Sequence, residues 1–159
     1  VYSKPGGRIN LGRSLNMIVS QILKQKGSDV FTVAKDASIK DVSSILAEKR
    51  IGAIVVTDAE NTVEGIISER DIVRGLAQFG PTILEKKVEE LMTKNVITHG
   101  LDGHIDELMQ EMTNSRIRHL PILDEGKLVG VISIGDVVKN RVEELESEGN
   151  MLRDYIATG

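Results

Sequence analysis

Residues 65–74 read GIISERDIVR and residues 130–139 read GVISIGDVVK. Gly, Ile, Ser and Asp stand at matched places in both, 65 residues apart. Order of this kind marks a duplication, and a duplication constrains a fold more tightly than any local pattern. Sliding the chain on itself by 66 also sets Ile39 on Ile105, Asp41 on Glu107, and Arg50-Ile51 on Arg116-Ile117. The same shift sets Val56-Thr57-Asp58 on Ile122-Leu123-Asp124; one residue fewer in the second turn then brings the offset to 65. Upstream, Val19–Leu23 mirrors Val88–Met92. The chain is a tandem repeat.

Each copy carries the same signals in the same order. A β-rich piece comes first (Val30–Val33; Val96–Thr98). Ile39, Val42, Ile45 and Leu46 then recur at helical spacing behind Ser38, an N-cap with Asp41 three residues on. Ile105, Leu108, Met109 and Met112 make the matching stripe. An apolar strand follows (Ala53–Thr57; His119–Leu123), then a polar turn and a second strand (Val63–Ser68; Leu128–Ser133), which reads as a hairpin. A helix closes each unit (Glu69–Ala77; Ile134–Leu145). The order β-α-β-β-α predicts an α/β fold of the α+β type. Three short strands and two helices in about 50 residues are marginal alone, so two copies are expected to pack sheet to sheet about a pseudo-twofold and share one aliphatic core. The expected organisation is an arm and helix start (1–17), a first repeat (18–80), a second repeat (88–147) and a helical tail (148–159). Lys86–Thr93 serves as connector, with Pro81 ending the element before it.

Composition limits the function. The 159 residues include 40% hydrophobic and only 3% aromatic side chains, with no Trp, so Ile, Val, Leu, Met and Ala must build the core. A net charge of −4 argues against an extended nucleic-acid surface. The absence of Cys excludes disulfides, thiolate metal sites and a Cys nucleophile, and suits the cytoplasm. No apolar run approaches the ~20 residues of a membrane helix, and no leader pattern opens the chain. VYSKPGG at the start reads as a loose arm.

Ser68-Glu-Arg-Asp71 has the spacing of a helix capping box. Two features add a ligand role to the cap. Both copies use Asp, whose short arm reaches back to the cap amide less readily than Glu. Both also set the motif where a strand runs into a helix, the crevice that α/β folds offer to ligands. A carboxylate there can accept hydrogen bonds from a vicinal diol such as a ribose, joined by the Ser hydroxyl.

Taken with Ile-Gly-Ala-Ile-Val-Val-Thr-Asp (51–58), Ile-Arg-His-Leu-Pro-Ile-Leu-Asp (117–124) and the two Gly-x-Ile-Ser-x-x-Asp endings, the chain resembles a CBS-domain pair, or Bateman module, over about residues 18–147. The resemblance implies a non-catalytic regulatory module that binds AMP, ADP, ATP, NAD(H) or S-adenosylmethionine, AMP first among them. It also implies association as a homodimer and a regulated partner protein. On the family pattern, each pocket joins one repeat's Ser-x-x-Asp to the other repeat's strand. Pocket one would comprise Ser68, Arg70, Asp71, Val96, Ile97, Thr98, Ile117, Arg118 and His119. Pocket two would comprise Ser133, Ile134, Asp136, Phe31, Thr32, Ile51, Gly52 and Ala53. Arg116, Arg118 and His119 form a positive cluster in an acidic chain, whereas Gly52 and Ala53 offer only backbone, so pocket one is the expected phosphate site. The alternative is a structural dimerisation module with vestigial pockets.

Other constellations are weaker. His99, Asp102, His104 and Asp106 lie on a Gly-rich turn, where helix capping by Asp102 is expected rather than a metal. PGGRINLG (5–12) has neither a preceding strand nor a Lys-Ser/Thr, so it is no phosphate loop. The amphipathic helices Leu15–Lys26 and Ile134–Leu145, with Met151, Leu152 and Ile156 beyond, should cover the core and present a dimer seam.

Overall fold

The computed structural model describes residues 17–27 and 29–158; the arm, the glycines of 5–12 and the expected helix start at Leu15 fall outside them. Helix α1 (Val19–Lys26) ends at Gly27, whose positive φ of 92° suits a residue without Cβ. The first repeat then runs β1 (Thr32–Val33), α2 (Ile39–Lys49), β2 (Ala53–Thr57), β3 (Val63–Ser68) and α3 (Glu69–Phe79). Two 3-10 turns, Gly80–Glu85 and Val88–Glu90, lead to the second. There β4 (His99–Gly100), α4 (Ile105–Ser115), β5 (His119–Asp124), β6 (Lys127–Ser133) and α5 (Ile134–Thr158) repeat the order. Each repeat is a three-stranded sheet in which a short parallel strand pairs with the first arm of an antiparallel hairpin.

Local sequence accounts for these elements. Ser38 caps α2 by accepting the Asp41 amide at 3.1 Å, as its spacing predicts. β2 is buried along its whole length: Ile54 and Val56 enter the first repeat's core, and Ala53, Val55 and Thr57 on the other face are equally covered. A strand covered on both faces reads as an unbroken apolar run, which is what Ala-Ile-Val-Val-Thr is.

Several expectations change. The buried apolar residues form two clusters, one per repeat, in place of one shared core. Each cluster borrows its lead segment from elsewhere in the chain. Val19 and Ile22 of α1 pack among Ile105, Leu108, Leu120 and Ile132 of the second repeat. Ile83 and Val88 of the connector pack among Ile39, Val42, Ile54 and Ile67 of the first. Matching backbone bonds hold both exchanges: Val19 N to Gly103 O (2.8 Å) and Ile105 N to Met17 O (3.0 Å) in one, Val88 N to Ala37 O (2.8 Å) and Ile39 N to Lys86 O (2.9 Å) in the other. Buried Glu144 on α5 also accepts the Met17 amide at 2.9 Å. Boundaries at 18–80 and 88–147 therefore divide the sequence into repeats without dividing the packing in the same way.

The short parallel strand of the second repeat is His99–Gly100, not Val96–Thr98, because only there does the chain run alongside Ile122 and Leu123. Of Val30–Val33, only Thr32 and Val33 pair. α4 starts at His104, whose amide Glu107 accepts, so Asp102 is not its cap. The closing helix does not stop near Leu145 before a separate tail: α5 is one helix of 25 residues, roughly 37 Å at 1.5 Å per residue.

Candidate functional site

The crevice begins where β3 runs into α3. Ser68 leaves the sheet in extended geometry and caps the helix: its hydroxyl accepts the Asp71 amide (3.4 Å), while Asp71 Oδ2 accepts the Ser68 amide (2.9 Å) and hydroxyl (3.1 Å). The Asp arm does close the capping box, contrary to what its length suggests. Both bonds that the carboxylate accepts fall on Oδ2, and among the described hydrogen bonds Oδ1 accepts none. Half-buried Asp71 lines a cavity of about 420 Å³ between the repeats, within the ordinary range for small-molecule sites.

Ser68, Arg70, Asp71, Val96, Ile97, Ile117, Arg118 and His119 share this cavity; Thr98 of the same expected set is not on its wall. Gly52, Ala53 and Ile134, expected in pocket two, line the first cavity instead. Ser133, Asp136, Phe31, Thr32 and Ile51 lie off its wall. Ile51 packs on the first repeat's core, Phe31 lies under the Lys49 ammonium (5.1 Å), and Thr32 borders a shallow groove with Lys35, Asp58 and Glu64. Sequence reading missed Ile66, Glu69, Arg74, Thr93 and Asn95 on the wall. Arg74 was findable, one helical turn from Arg70 on the same face of α3.

Gly52 lies against the other half. A Cβ there would lie 3.2 Å from His119 Cε1 and 3.3 Å from Nε2, so the imidazole crosses to the first repeat over bare backbone. Burial, helped by the Lys26 ammonium, holds His119 below the ordinary histidine pKa against the pull of Glu69 and Asp136. At neutral pH His119 therefore offers a hydrogen bond and not the positive charge that the sequence cluster suggested.

The second Ser-x-x-Asp is arranged differently. Asp136 Oδ2 accepts the Ser133 amide (2.9 Å) and also the Lys26 ammonium (2.6 Å), which reaches on to Val131 O (2.7 Å). Burial pushes the Asp136 carboxyl up, but the bonds from Lys26 and Ser133 outweigh it and hold the group below its ordinary value. The end of the exchanged helix α1 thus stands on the second carboxylate. Among the described residues, no such cation meets Asp71.

The duplicated capping box, the two matching sheets and the cavity at their seam agree with comparison to known proteins: the CBS domain family matches residues 19–78 and 88–143. The chain belongs to the CBS-domain family. Among solved structures, the CBS-domain protein ATU1752 from Agrobacterium tumefaciens is 46% identical, with a TM-score of 0.76 over 79% of this chain and 99% of that one. The CBS pair of protein MJ0100, in complex with 5-methylthioadenosine and S-adenosyl-L-methionine, is 29% identical, with a TM-score of 0.70 over 78% of this chain and 94% of that one. The CBS protein PAE2072 from Pyrobaculum aerophilum, complexed with AMP, is 26% identical, with a TM-score of 0.68 over 80% and 99%. Among the described residues, no helix is long and apolar enough to cross a membrane.

Proposed function

We propose that this CBS pair is a non-catalytic sensor that takes one adenosine compound per chain, in the cavity headed by Asp71. The observation carrying this is the free Oδ1 of a carboxylate already oriented by its own cap, placed at the seam of the two repeats. The cap fixes the side chain before the ligand arrives, so little rotamer freedom is lost on binding. Oδ1 accepts a ribose hydroxyl, Ile66, Ile97, Ile117 and Ile134 enclose the base, and Arg118 holds phosphate. Two solved relatives with adenosine ligands support the same ligand class. In the second half Lys26 already holds Asp136, which favours a single occupied site. A ligand contacting both repeats stabilises the arrangement that brings Asp71 to Arg118, and that differential affinity is what a partner protein in a reducing compartment would read.

The module also pairs with a second copy. Val73, Leu76 and Phe79 on α3 and Val138, Val142 and Leu145 on α5 are all 45% or more exposed, a large apolar surface for one small chain.

Mass spectrometry of small molecules released from purified protein, with calorimetry, tests the sensor. An adenosine compound binding at one per chain, lost in Asp71→Ala, is expected. Absence of binding by adenosine, AMP, ADP, ATP and NADH at high protein concentration would leave the dimerisation module as the surviving function.

A further inference from the structure

Four guanidiniums border the cavity: Arg70, Arg74, Arg116 and Arg118. All four side chains are exposed, and among the described residues none forms an ion pair with a carboxylate. Arg70 and Arg74, one turn apart on α3, repel each other. This is a concentration of positive charge in a chain of net charge −4.

The duplication supplies an internal control. At the positions equivalent to Arg118 and Arg70, the other half carries Gly52 and Gly135. Arg50 and Arg116 share a left-handed backbone of φ 54°, so the shape of the chain there belongs to the repeat. Arg116 and Arg74 have cationic counterparts in Arg50 and Lys139, so the two guanidiniums that belong to the Asp71 half alone are Arg70 and Arg118. A smaller cavity of about 270 Å³ continues from this cluster. It shares Arg70, Arg116, Arg118, Ile117 and Ile134 with the main cavity, is bordered by Met112 and Thr113 of α4, and opens to solvent. A monophosphate on a ribose held by Asp71 would be satisfied by one or two of these arginines and would leave this annex empty.

We propose that the ligand carries at least a diphosphate on its adenosine, with the second phosphate in the annex between Arg70 and Arg116. This rests on the adenosine assignment of the main cavity and narrows it, displacing AMP as the foremost ligand and disfavouring S-adenosylmethionine, whose sulfonium is repelled by the same cluster. ADP, ATP and a dinucleotide share the required chemistry, because each presents phosphate oxygens in sequence to bidentate guanidiniums.

Calorimetry on the extensively dialysed full chain with adenosine, AMP, ADP, ATP, NADH and S-adenosylmethionine is the test. At least one of ADP, ATP and NADH should bind about tenfold or more tighter than AMP, with a steeper loss of affinity as salt rises. Which of the three binds best reports whether a third phosphate or a second nucleoside follows. Arg116→Gly removes one guanidinium at a backbone position that glycine adopts freely, so the protein keeps its fold. In that variant, and in Arg70→Gln, the ratio of diphosphate to AMP affinity should fall toward one. AMP binding as tightly as every diphosphate compound, or a ratio unmoved by both variants, would overturn the annex while leaving the adenosine site in place. Failure of all six compounds to bind would overturn the site itself.

Discussion

Replacing Gly65 by Ala should unsettle the protein far more than the same change at Gly130, its repeat partner. Each glycine seats a side chain of an exchanged segment, Met92 on Gly65 and Leu23 on Gly130. A Cβ at Gly65 would run into Met92 Sδ and stand 2.9 Å from Met92 Cγ and 3.0 Å from the backbone oxygen of Thr93. The thioether can swing away. The carbonyl cannot, because Thr93 and Ile66 exchange two backbone hydrogen bonds of 2.9 and 3.0 Å. At Gly130 the obstacles are Leu23 Cδ2 (2.5 Å), Cδ1 (2.9 Å) and Cγ (3.3 Å), all in one side chain that can re-rotamer. Overpacking costs about 1–3 kcal/mol, offset by about 0.4–1 kcal/mol from the stiffer unfolded chain. Gly65→Ala then loses about 2 kcal/mol and Gly130→Ala less than about 1. At roughly 2–4 °C per kcal/mol for a chain of this length, the losses in Tm are about 4–8 °C and at most about 4 °C. Scanning calorimetry on both variants and on Gly65→Ala/Met92→Ala measures this; the double variant should recover none of the loss, because shortening Met92 leaves the Thr93 carbonyl where it is and takes a side chain from the core. Thr93 and Ile66 also line the cavity, so Gly65→Ala should weaken ligand binding as well. Equal losses at the two glycines, or a Tm within 1 °C of wild type for Gly65→Ala, would refute the reasoning.

Other perturbations separate the remaining roles. Lys26→Met removes an ion pair whose side chains are 38% and 23% exposed, so after solvent screening it should cost only about 0.5–1 kcal/mol. Asp136 sits below its ordinary pKa when folded, so the stability it lends is full above about pH 4 and drains away as pH falls through its folded value. Lys26→Met should therefore flatten the acid limb of a urea-melt pH series; an unchanged limb would show that Lys26 contributes nothing there. Val142→Glu alters a side chain 46% exposed in the single chain, so Tm at low concentration should move little, while light scattering should show a dimer becoming a monomer. A dimer that survives this change would place the seam elsewhere.

The doubled ten-residue motif carried the architecture because a repeat exposes its element order twice. The Ser-x-x-Asp caps, the helix stripes and both hairpins were legible from spacing. The exchange of lead segments was not: Val19–Leu23 and Val88–Met92 are interchangeable in pattern, and nothing local says which sheet each will cover. The site was legible on one half only. Asp71 followed from the motif, and Arg118 and the aliphatic wall from the family resemblance, but Gly52 and Ala53 came to the opposite pocket from the one expected. The positive character assigned to His119 failed because burial, which spacing does not report, keeps the ring neutral. Lys26 escaped notice altogether, since an ammonium at the end of an exposed helix looks solvated until the fold brings it onto Asp136.

Because each sheet is wedged by a piece of chain that belongs in sequence to its neighbour, neither repeat is a complete object. Severing the chain near residue 80 would strand each fragment without its plug, and a lone repeat would solve this by borrowing the plug of a second molecule. Gene fragments encoding single repeats should therefore yield intertwined pairs or insoluble material. In the intact chain the same cross-lacing denies the halves any wide swing, which confines whatever message the cavity sends to small slides along the seam.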